Sequence, residues 1–192
     1  MDIMYNEDKF LSGEINLCFV TGYMGSGKST LAAQYDGDNV ERISLDVISN
    51  NNLSEDDWEE YGELSHDYFQ QSTVLTDNHE ILDDDKCWHI NCGFDSILIK
   101  DIIDFTKEYA AKHPEKKFII EGVQILYMCT PEELDGYVVF IKDTPMIVSK
   151  YRAVKRDSRW YGRFIFRKDL SYYIEDSKKL RVFKKYFRER LK

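Results

Sequence analysis

The chain has 192 residues, 43% hydrophobic, 32% charged and 14% aromatic, a balance that suits one globular domain with a sizeable core. No apolar run approaches the roughly 18 residues of a membrane span, and "MDIMYNEDKF" lacks the basic-then-apolar order of a secretion signal, so a cytoplasmic protein with no membrane partner is expected. The net charge of −9 is unevenly spread: residues 142–192 hold 17 Lys/Arg against 6 Asp/Glu (+11), and the remainder 9 against 29 (−20).

Taken in chain order, Ile15 to Val20 is a short apolar run that suits a strand buried on both faces. A glycine-rich loop follows, then "STLAAQY", a helix ending near Asp36 and Gly37. Val40 to Asp46 alternates and predicts a second strand. Ser54, with Asp57 three residues on, opens a helix on which Trp58, Tyr61, Leu64 or Ser65, and Tyr68 recur at helical spacing. Residues 73–94 have no period and are expected to form a long connection. Leu98, Ile102, Phe105 and Tyr109 share one face of a helix over Asp95 to Ala111. "KFIIEG" is a third strand, Thr130-Pro131-Glu132-Glu133 starts a brief helix, and Tyr137 to Ile141 is a fourth strand. Thr144-Pro145 caps a further helix. The last helix carries a stripe of Leu170, Tyr173, Leu180, Phe183, Phe187 and Leu191.

Strands separated by helices predict an α/β layer fold with a parallel sheet, in one domain spanning 1–192 with a helical insertion between the second and third strands. Cys18 and Cys129 lie in or beside apolar runs and read as small buried hydrophobes. Cys87, His89 and Cys92 in "CWHINC" lack zinc-knuckle spacing, and no second Cys/His group closes a tetrahedron, so neither a metal nor a disulfide is expected there.

The loop Gly22-Tyr23-Met24-Gly25-Ser26-Gly27-Lys28-Ser29 satisfies the pattern G-x-x-x-x-G-K-S in full. A phosphate chain needs converging backbone N–H groups, which requires residues that adopt positive φ and carry no Cβ, here Gly22, Gly25 and Gly27. Lys28 can reach β- and γ-phosphates, the Ser29 hydroxyl can ligate Mg²⁺, and Thr30 can approach the α-phosphate. The strand before the loop and the helix after it are the required context, so a nucleoside triphosphate is the expected ligand.

An N-K-x-D box and a D-x-x-G switch are both missing at plausible positions, which argues against a Ras-type GTPase, and the chain is short for a motor ATPase. Two acids follow predicted strands, Asp46 after the second and Glu121 after the third. A carboxylate at a strand end beside the loop can orient or deprotonate an acceptor hydroxyl, or hold metal-bound water. A turn cap is the plain alternative for Asp46. In "YRAVKRDSRWYGR", Arg152, Lys155, Arg156, Arg159 and Arg163 fall three or four apart and make one helical face cationic. Guanidinium groups there can stabilise a transferring phosphoryl group, and Gly162 is expected to break the helix into a lid over 152–168. A solvated basic face is the alternative.

The loop, the "LD" after the second strand, the "IIEG" at the third, and the R-x-x-K-R-D-x-x-x-x-G-R order resemble the P-loop kinases of small metabolites, in the uridine kinase-like and nucleoside monophosphate kinase-like branch. The resemblance implies a three-layer fold with the loop on a central parallel strand, ATP–Mg²⁺ as donor, and a closing arginine lid. It implies phosphate binding by Gly22 to Thr30 and catalytic roles for Lys28, Asp46, Arg152, Arg156 and Arg163. Ser29, Asp46 and Glu121 are then the residues expected at the metal. It does not extend over 47–116, where such kinases hold their acceptor, and no fifth strand is legible after the lid.

The acidic insertion suits a neutral or cationic hydroxylated acceptor better than a phosphorylated one. A nucleoside, sugar or nucleotide acceptor is the first expectation. A polynucleotide 5′-hydroxyl kinase, using the basic C-terminal third as its groove, and a nucleotide-dependent switch with little catalysis are the alternatives.

Overall fold

The computed structural model describes residues 1–45, 79–81, 87–90, 96–156 and 162–192. The predicted helix from Ser54, and Asp46 and Arg159 among the expected site residues, lie outside them.

The described strands are β1 (Ile3–Tyr5), β2 (Leu17–Gly22), β3 (Val40–Ser44), β4 (His79–Ile81), β5 (Cys87–Ile90), β6 (Lys117–Glu121) and β7 (Val138–Lys142). They form one sheet in the order β1-β7-β2-β6-β3-β5-β4. The five strands from β7 through β5 run parallel, and β1 and β4 close the two edges antiparallel. The fold is therefore α/β with a mostly parallel sheet.

The helices are α1 (Glu7–Ser12), α2 (Lys28–Ala32, extended by a 3₁₀ turn over Ala33–Tyr35), α3 (Ser96–Lys112), α4 (Ile125–Met128), α5 (Met146–Arg156) and α6 (Gly162–Arg190). Alternation along β2 sends Leu17 and Phe19 to one face and Cys18 and Val20 to the other, as the pleat requires. The first pair joins a core with Ile102 and Ile103 of α3, Ile125 and Leu126 of α4, and Leu180, Phe183 and Phe187 of α6. The second pair joins Phe10 of α1, Leu31 and Ala32 of α2, and Phe140. Helices thus cover both faces of the sheet, and β2, buried throughout, lies in its interior between β7 and β6.

Several expectations change. The N-terminal β1 and α1 carry no legible pattern; β1 owes its existence to pairing with β7, Ile3 opposite Ile141. Residues 73–94 are not wholly a connection, since β4 and β5 fall within them. Leu191 does not continue the buried stripe: it is 52% exposed, whereas Tyr173, Leu180, Phe183 and Phe187 are buried. The Thr130 signature holds as written: Glu133 N–H donates to Thr130 Oγ1 (3.3 Å) and Thr130 N–H to Glu133 Oε2 (2.7 Å), a capping box on a 3₁₀ turn over Glu132–Leu134. Cys18 and Cys129 are buried free thiols, and burial pushes Cys129 up to about 11. No helix among the described residues is long and apolar enough to cross a membrane.

Candidate nucleotide-binding site

Parallel strands deliver their carboxyl ends to one edge of a sheet. The register aligns Gly22 with Lys142, Val20 with Glu121, and Glu121 with Ser44. The glycine loop, Glu121, and Leu45 just before Asp46 therefore share an edge.

Gly22, Gly25 and Gly27 all take positive φ (151°, 74° and 93°). A Cβ on Gly22 would stand 2.8 Å from the Lys142 carbonyl oxygen and 2.9 Å from Ser26 Oγ, closer than packed atoms approach. The loop carbonyls are held from outside. Thr144 Oγ1 donates to the Ser26 carbonyl (2.8 Å), and the Tyr173 hydroxyl of α6 donates to the Met24 carbonyl (3.3 Å). In a trans peptide the N–H points opposite to the C=O, and no cis bond is present among the described residues. These two contacts therefore turn the Gly25 and Gly27 N–H groups to the other side of the loop.

Gly27 caps α2, and Ser29 and Thr30 are exposed on its first turn. Lys28, by contrast, is only 4% exposed, and its ammonium donates to the Tyr23 carbonyl at 3.2 Å. Sequence alone suggests a lysine that packs little; the structure corrects this, because the loop folds round the side chain.

Glu121 is 1% exposed at the end of β6. Leu45 N–H donates to the Glu121 carbonyl (2.8 Å), and Gln124 Nε2 donates to the Leu45 carbonyl (2.5 Å). A Cβ on Gly122 would meet Gln124 Oε1 at 2.6 Å and Leu45 Cβ at 2.9 Å. The strand end that leads into Asp46 is thereby tied to the one that carries Glu121, although Asp46 itself is outside the described residues. Of the arginines expected in a lid, Arg152 is exposed on α5, Arg156 ends that helix and Arg163 lies on the first turn of α6.

Four side chains at this edge escape a reading by motif. Tyr173 packs its ring against Tyr23 (centroids 6.1 Å apart). Three residues on, Asp176 is 8% exposed and accepts a 2.5 Å hydrogen bond from Tyr127 of α4. Burial pushes the Asp176 carboxyl up, while the Tyr127 hydrogen bond and the charge of Lys28 act against it. Burial, with the bond to Asp176, pushes the Tyr127 hydroxyl up as well. Lys142 and Thr144 flank the loop from β7 and the turn after it. Nothing in "LSYYIEDSKK" marks Tyr173 and Asp176 as site residues; helical spacing places Tyr173 with the core, where it also belongs.

The loop offers two amides turned away from Thr144 and Tyr173, a buried lysine and two exposed hydroxyls, a set that fits a polyphosphate with its cation. Among the described residues no three His, Cys, Asp or Glu side chains gather to hold a metal. No family model, curated protein or solved structure matches this chain.

Proposed function

We propose that this chain is an ATP-dependent phosphotransferase that moves the γ-phosphoryl group to the hydroxyl of a small acceptor such as a nucleoside, sugar or nucleotide. The observation that carries the reading is the glycine loop itself. Its three positive-φ glycines close a central parallel strand, and a side chain at Gly22 has no room. The sheet order, with the loop strand between β6 and β7 and helices on both faces, supports the finer reading of a three-layer P-loop kinase fold.

In this reading Lys28 exchanges the Tyr23 carbonyl for the β- and γ-phosphates, so its charge is already at the loop before nucleotide arrives. The Gly25 and Gly27 amides bind the phosphate chain. Ser29, with Asp46 and Glu121, would hold Mg²⁺, which supplies charge neutralisation on the phosphates. Asp46 orients the acceptor hydroxyl and takes its proton as the new P–O bond forms and the bond from the γ-phosphorus to the β–γ bridging oxygen breaks, with ADP as the leaving group. Arg152, Arg156 and Arg163 lie over the transferring group as a lid and stabilise charge that develops on its oxygens.

Asp46→Asn and Arg163→Gln test the assignment. Each is expected to lower kcat by about 10²-fold or more, in the range of single electrostatic or proton-transfer contacts, while the ATP dissociation constant changes by only a few-fold. Normal turnover in both variants would return Asp46 to a turn cap and Arg163 to solvated surface.

A further inference from the structure

Lys142 ends β7 directly opposite Gly22. Its carbonyl and Cβ fill the space a Gly22 side chain would need (2.8 and 3.2 Å), and its Cε runs on to within 3.9 Å of where a Gly27 Cβ would stand. The stem is thus laid along the phosphate loop from its first glycine to its last. Its ammonium sits beyond Cε, 2.5 Å from Asp2 Oδ2, with the side chain still 27% exposed. Asp2 uses its other oxygen to accept the Asp143 N–H at 3.0 Å.

The second acid nearby, Asp143, is already engaged by Lys184 and Arg188 of α6. Among the described residues, Asp2 is the carboxylate that pairs with Lys142. Burial alone would push the Asp2 carboxyl up, but the Lys142 and Asp143 contacts outweigh it and hold it below the usual range, as befits a firm ion pair. An ammonium one bond past a carbon that touches the Gly27 position lies within a side-chain rotation of whatever that loop binds.

We propose that Lys142 is a second cation of the phosphate loop, a binding residue for the polyphosphate of the nucleotide, and that Asp2 holds its ammonium in reserve until the phosphates draw it away. The inference rests on the nucleotide-site reading above. Lys142 and Asp2 then act in opposite directions: Lys142 binds the anion, and Asp2 competes with the anion for the ammonium. A purely structural ion pair that fastens β1 to β7 would make the two residues act in the same direction.

Equilibrium binding of ATP and ADP to the full chain, with thermal melting of each variant, separates these cases. K142M is expected to weaken both nucleotides about tenfold or more, the scale of a charge-assisted hydrogen bond, and K142R to restore affinity to within a few-fold. D2N retains an acceptor for the Asp143 N–H but not the charge, and it is expected to bind nucleotide as tightly as wild type or more tightly. Unchanged affinity in K142M, or affinity lowered alike in K142M and D2N, overturns the proposal. If K142M fails to fold, D2N decides: weaker binding in a folded D2N overturns it. A folded wild type that binds neither nucleotide overturns the nucleotide site itself, and this inference with it.

Discussion

Gly22→Ala is the substitution whose cost follows most directly from the geometry. The new Cβ would face two hard contacts, the Lys142 carbonyl oxygen at 2.8 Å and Ser26 Oγ at 2.9 Å, at a φ of 151° that L-residues rarely adopt. The carbonyl belongs to a strand paired on both sides, so it cannot retreat without breaking the ladder. Backbone strain contributes about 1–3 kcal/mol and overpacking another 1–3 kcal/mol, giving roughly 2–6 kcal/mol against a total stability of about 5–15 kcal/mol. For a domain of this size that corresponds to a fall in Tm of about 4–24 °C.

Two other glycines separate the contributions. Gly13 has φ 80° with nothing within 4 Å of an added Cβ, and Gly136 has open space without a positive φ. Gly13→Ala should therefore cost only the left-handed backbone penalty, about 1–2 kcal/mol, and Gly136→Ala should lie within about 1 kcal/mol of wild type. Urea denaturation of the three variants, followed by circular dichroism, measures the order. A Gly22→Ala protein as stable as Gly136→Ala would refute the claim that the loop admits no side chain at its first glycine.

Phe187→Ala should cost about 3–5 kcal/mol by urea denaturation, since Phe187 is fully buried and its ring lies 5.0 Å from that of Tyr5. Leu191→Ala, four residues on and exposed, should stay within about 0.5 kcal/mol. Asp143 gives a pH signature. Burial pushes its carboxyl up, but Lys184 outweighs this and the net shift is downward from 3.8. The stability it contributes is therefore present above that value and lost as pH falls through the lower folded-state value. Asp143→Asn should be less stable than wild type near neutral pH, and the gap should narrow as pH falls below 3.8; a gap that stays constant with pH would count against the ion pairs with Lys184 and Arg188.

What the sequence made legible was local. The loop is contiguous, and each residue of "GYMGSGKS" has its meaning within eight positions. The strands "KFIIE" and "VVFIK" are apolar runs bounded by turn residues, and they appear within a residue or two of their expected limits. Unread elements depend on distant partners. β1 is three residues that become a strand because β7, more than a hundred positions away, supplies its hydrogen bonds. Likewise, Lys142 of β7 and Tyr173 and Asp176 of α6 reach the loop's surroundings from distant elements, and Gln124 reaches Leu45 from the turn after β6. Their meeting is fixed by strand register and by the packing of α6, neither of which leaves a trace in local spacing. The buried state of Lys28 was hidden for the same reason, because a lysine in a loop reads as exposed until the loop closes on it.

The most direct measurement is the fate of the γ-phosphoryl group. ATP labelled at that position is incubated with Mg²⁺, the full chain, and nucleosides, sugars, nucleotides or a 5′-hydroxyl oligonucleotide. The account predicts label on a small hydroxylated acceptor, abolished in Lys28→Met, which retains the buried stem and melts close to wild type. It would be contradicted by label on the oligonucleotide alone, or by a chain that binds ATP tightly yet transfers label to none of these hydroxyls.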